Sequence, residues 1–148
     1  MSRKKFMMLA LSISLVIGVV LTGGCAAEKT ITPGTPTQTI IEDISTQEAF
    51  TLIQNNQNNR DFVIIDVRTT EEFAEGYIEN AVNIDFYSET FRDELDKLDK
   101  NKTYLIYCRS GNRSGKARDI MAELNFKEVY NMLGGFVQWD ADGLPTTK

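Results

Sequence analysis

The chain has 148 residues, with 16 Lys+Arg against 21 Asp+Glu, no histidine and a formal net charge of −5. That length suits a single domain, and an acidic balance argues against nucleic acid as a partner, since a polyanion binder usually carries a basic surface. The apolar fraction of 42% is ordinary for a globular fold, while the missing histidine removes the commonest general base from any catalytic scheme.

Charge is unevenly placed at the start of the chain. Arg3, Lys4 and Lys5 precede the uncharged run Phe6–Leu21, and Thr22, Gly23, Gly24 and Cys25 follow. A basic start, an apolar core and a small-residue exit predict a secretory signal peptide over residues 1–24. The run is short of the roughly 18 or more apolar residues of a spanning helix. LTGGC, Leu21 to Cys25, resembles the lipobox of bacterial-type lipoproteins, with Thr22 where Leu is most frequent. That resemblance implies an exported protein held to a membrane by acyl chains on Cys25 rather than by a spanning helix. Ala26, which is not Asp, implies outer-membrane sorting in a cell with two membranes. Without residues 1–24 the chain keeps 13 basic and 21 acidic residues, a net charge of −8. Pro33, Gly34 and Pro36 mark residues 25–38 as lipidated cysteine and flexible tether, leaving 39–148 as the folded domain.

Strand and helix signals then alternate. Thr39–Ile44 predicts a short strand. Ser45 to Glu48 is a capping-box pattern, opening a helix through about Asn55. Asp61–Val67 is a nearly continuous β-branched apolar run, as expected of a strand buried on both faces. Thr69 to Glu72 starts a second helix, ended near Gly76. Ala81–Ile84 predicts a short strand, and Ser88–Asp99 a helix with Phe91, Leu95 and Leu98 at helical spacing. Thr103–Tyr107 reads as a second buried strand, and Ser114–Asn125 as a helix with Ala117, Ile120, Met121 and Leu124 on one face. Glu128–Met132 is a last strand and Gly135–Ala141 a last short helix. This alternation predicts one α/β domain of three layers, with a mostly parallel central sheet of about five strands and helices on both faces. Such sheets bind ligands beyond the carboxyl ends of their strands.

At one such end stands CRSGNRSG, Cys108 to Gly115. With Cys25 lipidated, Cys108 has no partner, and an unpaired thiol in an oxidising compartment is either inert or kept for its reactivity. The surroundings favour reactivity. The thiolate is the nucleophilic form, and three features lower its pKa: the N-terminus of a helix beginning near Ser114, a loop in which Gly111 and Asn112 let backbone N–H groups turn inward, and the cations Arg109 and Arg113. No histidine is then needed. Asp66 and Arg68 predict an ion pair fixing loops, Ser114 a helix cap, and Trp139, Tyr104 and Tyr107 packing positions.

CRSGNRS closely matches the active-site loop of the rhodaneses, or thiosulfate sulfurtransferases, and the resemblance extends across the domain. Phe62–Ile84 is similar to that family's D-V-R segment, with Tyr77 in place of the usual His and Glu79-Asn80 in place of Pro-Gly. Gly134–Thr146 is similar to its G-G…W…G-L-P ending. The resemblance implies Cys108 as the nucleophile, which takes the outer sulfur of thiosulfate as a persulfide and passes it to cyanide or a thiol. It also implies that Arg109, Ser110, Gly111, Asn112 and Arg113 bind the small anionic donor. No metal or organic cofactor is implied. A protein sulfur acceptor stands among the implied partners, and a tethered persulfide carrier or sensor would have an identical loop. Cysteine phosphatases and arsenate reductases use a related cradle, but with C-x5-R spacing. Cys108 and Arg113 are spaced C-x4-R, a smaller loop that suits sulfur better than phosphate.

Overall fold

The computed structural model describes residues 38–148. The expected signal peptide, Cys25 and all but the last residue of the tether lie outside this range. Five strands, β1 (Ile40–Ile44), β2 (Phe62–Asp66), β3 (Ala81–Asn83), β4 (Thr103–Tyr107) and β5 (Glu128–Met132), alternate with five helices, α1 (Thr46–Asn55), α2 (Thr70–Glu75), α3 (Phe91–Asp96), α4 (Asn112–Glu123) and α5 (Gly135–Ala141). The strands form one sheet in the order β1-β5-β4-β2-β3, with every pair parallel.

Parallel strands covered on both faces need apolar residues at successive positions, not only at alternate ones. Strand β4 shows this: Tyr104, Leu105, Ile106 and Tyr107 are all buried. Tyr104 and Ile106 join Ile65, Val67, Met121 and Val129 in one core, with Ala117 of α4 and Leu95 of α3 above them. Leu105 and Tyr107 join Ile64, Ile78 and Met132 in the other, under Ala49 of α1 and Trp139 of α5. The indole Nε1–H of Trp139 donates to the Pro145 carbonyl at 2.9 Å, which satisfies its one polar atom in the interior.

The capping boxes at Ser45 and Thr69 both form, with Glu48 and Glu72 returning the bond to the cap backbone. Each cap of this kind stabilises its helix by about 1 kcal/mol. Two helices differ from expectation. Helix α3 is confined to Phe91–Asp96, because Ser88 heads a turn: its Oγ accepts from Thr90 N and its carbonyl accepts from Phe91 N. Helix α4 begins two residues before Ser114. Strand β4 lies at the centre of the sheet, where the chain's order reverses, and its carboxyl end opens at the switch point favoured by ligand sites.

Candidate active site

Cys108 is the first residue beyond β4, and it is 1% exposed. Its Sγ accepts the Gly111 N–H at 3.2 Å and lies 3.5 Å from the Ser114 hydroxyl. Burial, the largest single influence, pushes the thiol pKa up. The Ser114 hydroxyl and the backbone N–H groups of Ser114, Ser110 and Gly111 together outweigh it and hold the thiol below its ordinary value. The Ser114 hydroxyl also lies 3.2 Å from the Gly111 carbonyl. Its single proton serves one acceptor at a time, and a charged sulfur is the stronger of the two. The sulfur also faces the positive end of α4, a helix of 12 residues, which favours its charged form.

The loop curls this way for two backbone reasons. Gly111 has φ +93° and occupies the N-cap of α4, a left-handed conformation that disfavours any residue with a Cβ. Ser114, expected as the cap, sits instead inside the first turn, completely buried, because the left-handed Gly111 has already begun the helix. On the outer side, the first turn of α5 supplies the N–H groups that a helix start leaves unpaired. Phe136 N donates to the Cys108 carbonyl at 2.8 Å and Val137 N to the Arg109 carbonyl at 3.0 Å. Carbonyls held outward leave the amides facing the sulfur. This docking needs Gly135, at φ +60°: a Cβ there would lie 2.6 Å from Arg109 C and 2.7 Å from Arg109 O, and closer still to the Cys108 carbonyl.

A family model for the rhodanese-like domain matches residues 49–142, most of the folded domain. The chain belongs to the rhodanese family. It is 36% identical over 100 residues to the thiosulfate sulfurtransferase GlpE of Coxiella burnetii, which covers 68% of this chain and 88% of that protein. A sulfurtransferase of Allochromatium vinosum is 32% identical over 94 residues, 64% of this chain and 86% of that protein. The crystal structure of a rhodanese-like domain protein from Staphylococcus aureus superposes with a TM-score of 0.57 at 33% identity, covering 72% of this chain and 99% of that one. The single α/β domain with its parallel five-stranded sheet is the rhodanese fold.

Within this rhodanese domain the two loop arginines part company. Arg109 is exposed, and among the described residues no carboxylate pairs with it. Arg113 is gripped by Glu72 through two bonds, 2.7 and 2.9 Å, and its guanidinium lies 5.5 Å from the Tyr87 ring centre. The bonds to Glu72 raise the Arg113 pKa and hold the Glu72 carboxyl below its usual range. Arg113 therefore ties the start of α4 to the start of α2, with its charge already matched. Ser110 and Asn112 are exposed on the loop.

Asp66 and Arg68 form a buried pair at 2.6 Å, with side chains 0% and 5% exposed. Arg68 also donates to the Gly76 carbonyl, and its guanidinium lies 4.0 Å over the Phe136 ring. It thus braces the residue whose N–H holds the Cys108 carbonyl. Tyr77 stacks on Phe73 at 4.1 Å and bridges to Thr147 in the C-terminal segment. A groove of about 660 Å³ runs beside Arg109, lined also by Arg68, Glu75, Phe136 and Lys148. Another cavity, of about 500 Å³ over Ile53, Phe62 and Trp139, is lined by no cysteine, hydroxyl side chain or cation.

Sequence reasoning missed Glu72 as the partner of Arg113, and missed the role of α5 in holding the loop. The first left a trace only as a capping-box glutamate. The second left one as two consecutive glycines, Gly134-Gly135, between a strand and a helix.

Proposed function

We propose that this domain is a sulfurtransferase that carries sulfane sulfur on Cys108. One observation supports the reading above the others: a thiol at the base of a loop whose inward N–H groups converge on its sulfur. In the first half-reaction the Cys108 thiolate attacks the outer sulfur of thiosulfate. The sulfur–sulfur bond of the donor breaks, its electron pair leaves on sulfite, and Cys108 holds a persulfide. In the second, cyanide or a thiolate attacks the outer sulfur, and the electron pair of the Cys–S bond returns to Cys108. Both steps begin or end with negative charge on sulfur in the loop, where fixed N–H dipoles stabilise it without reorganising. Two displacements at one nucleophile give ping-pong kinetics.

The C-x4-R spacing of Cys108 and Arg113 supports sulfur over phosphate chemistry, because a shorter loop makes a smaller cradle. The test is an intact mass after incubation with thiosulfate. The wild type gains one sulfur atom, about 32 Da, as an activated thiolate requires. Cyanide removes that gain, and Cys108→Ser shows none. A wild type that stays unmodified while its Cys108 alkylates readily would refute thiosulfate as donor. One that neither gains sulfur nor alkylates would refute the persulfide mechanism itself.

A further inference from the structure

The cavity over Ile53, Phe62 and Trp139 lies away from Cys108. The turn Asn56–Asn59 that leads into β2 and the turn at Glu79-Asn80 that leads into β3 both line it. It therefore opens beside the amino ends of those strands, whereas Cys108 follows the carboxyl end of β4. Its volume of about 500 Å³ is that of a small-molecule site. The floor is apolar, with Phe50, Ile53 and Phe62 half-buried there. The polar lining is nearly of one kind. Six carboxamides, Gln54, Asn56, Gln57, Asn58, Asn59 and Asn80, stand with a single carboxylate, Glu79, and no cation. Five of the six come from one uninterrupted run, QNNQNN, Gln54 to Asn59.

Two of these amides serve the first turn itself. Asn56 donates to the Leu52 carbonyl at 2.9 Å and accepts from Asn59 at 2.9 Å, while the Asn59 oxygen accepts the Asp61 N–H at 3.0 Å. Gln57 donates to Gln54 at 2.8 Å, which leaves the Gln54 NH2 and the Gln57 oxygen open. Asn58 and Asn80 make no side-chain hydrogen bond among the described residues. Asn80 also has a left-handed backbone, φ +65°, at a position where the rhodanese pattern has glycine, the residue for which that conformation costs least. A glycine would make this turn; an asparagine makes it and adds a carboxamide to the cavity wall.

We propose that this cavity binds a neutral sugar ring, at a second site separate from the Cys108 chemistry. A carboxamide donates and accepts side by side, and each hydroxyl of a sugar does both as well. A pyranose carries hydroxyls around its edge and C–H groups on its faces, which matches amides placed around an apolar floor. With no cation in its lining, the cavity has no charge partner for a phosphate or a sugar acid, and Glu79 repels both. Toward a neutral hydroxyl the same carboxylate is a strong acceptor. A flat nucleobase would need an aromatic face to stack on, and Trp139, the largest ring in the lining, is 1% exposed.

Trp139 is the only tryptophan of the chain, so its fluorescence reports occupancy of the cavity it lines. The protein is titrated with methyl β-D-glucopyranoside, methyl β-D-galactopyranoside, cellobiose and glucuronic acid, while the side-chain NH2 signals of Asn and Gln are followed by ¹H–¹⁵N NMR. A saturable response to at least one neutral glycoside is expected, weaker for glucuronic acid, with the Asn58 and Asn80 NH2 signals among those that move. Asn80→Gly suits the positive φ and is expected to unfold at a similar urea concentration to the wild type. Its Kd for the glycoside is expected to rise about three- to tenfold, the loss of one or two hydrogen bonds; Asn58→Ala, at an exposed position, is the second probe. No saturable response to any neutral glycoside up to roughly 50 mM, well beyond a millimolar site, overturns the proposal. So does an unchanged Kd in both variants, or tighter binding of glucuronic acid than of the glycosides. Saturable binding of the blocked peptide N-acetyl-Gly-Gly-amide, with none of the sugars bound, would assign the cavity to a peptide, against the proposal.

Discussion

Replacing Gly135 by alanine tests the idea that α5 shapes the Cys108 loop from behind. The added Cβ would meet the Cys108 carbonyl and the Arg109 carbonyl group, at 2.6 Å from Arg109 C and 2.7 Å from Arg109 O, all of it backbone that cannot swing aside. A left-handed φ of +60° costs a non-glycine residue about 1–2 kcal/mol. Overpacking of this kind adds about 1–3 kcal/mol. If the loop holds its place, stability falls by about 2–5 kcal/mol in all. If the loop retreats instead, Phe136 N and Val137 N lose their carbonyls and the amides around Cys108 spread apart. Gly143→Ala separates the two effects, because Gly143 has a similar φ of +69° with nothing within 4 Å of the added carbon. Urea denaturation of both variants, with thiocyanate formation and the pH profile of Cys108 alkylation, provides the assay. Gly143→Ala is expected to lose only the conformational part and to keep full activity. Gly135→Ala is expected to lose more stability, and to lose activity or shift its alkylation midpoint upward. Equal losses in the two variants, with activity intact in both, would refute the claim that α5 holds the loop.

Two further substitutions probe the electrostatics. Ser114→Ala removes a donor to Cys108 Sγ, so the alkylation midpoint is expected to move up from its depressed position. A folded thiol pKa below the unfolded one contributes stability above the unfolded value, lost as pH falls through the folded value, and Ser114→Ala is expected to shrink that alkaline contribution. An unchanged midpoint would mean that the amides alone set the thiolate. Glu72→Gln leaves Arg113 without its charge partner; with side chains 26% and 15% exposed, the pair is neither a surface pair nor a fully buried one, and a loss of about 1–3 kcal/mol is expected. Because the Glu72 carboxyl is depressed, its contribution is present above the unfolded carboxylate value and lost as pH falls through the folded one. The variant's urea midpoint should therefore vary less with pH on the acid side than that of the wild type, and an identical acid limb would count against the clamp.

Much of the fold was legible because the strongest signals are local. The β-branched run of β2 and the span Thr103–Tyr107 of β4 carry their burial in consecutive residues, and the boxes at Ser45 and Thr69 fix two helix starts within four residues each. The thiol, its loop and the helix behind it were legible for the same reason. What escaped depends on backbone sign or on distance along the chain. Gly111 caps α4 through a positive φ, which a glycine permits but does not announce, so Ser114 looked like the better cap. The Glu72–Arg113 pair joins residues 41 apart in sequence, and Glu72 already had a local use in its own capping box. The carbonyl bonds from α5 to the loop involve only main-chain atoms, on which side-chain identity gives no direct information.

The strands all run the same way, so the domain has two poles. The described chain enters at the start of β1, where Ile40 N bonds to the Lys127 carbonyl at the amino pole, while Cys108 opens at the carboxyl pole. The final residues return to the cysteine's side: Thr147 pairs with Tyr77, and Lys148 lines the groove beside Arg109. The two ends of the domain are therefore unequal places to attach anything. A label, surface or fusion partner joined ahead of Ile40 leaves the Cys108 mouth facing away from the attachment, whereas the same addition after Lys148 stands beside the groove that Arg109 lines.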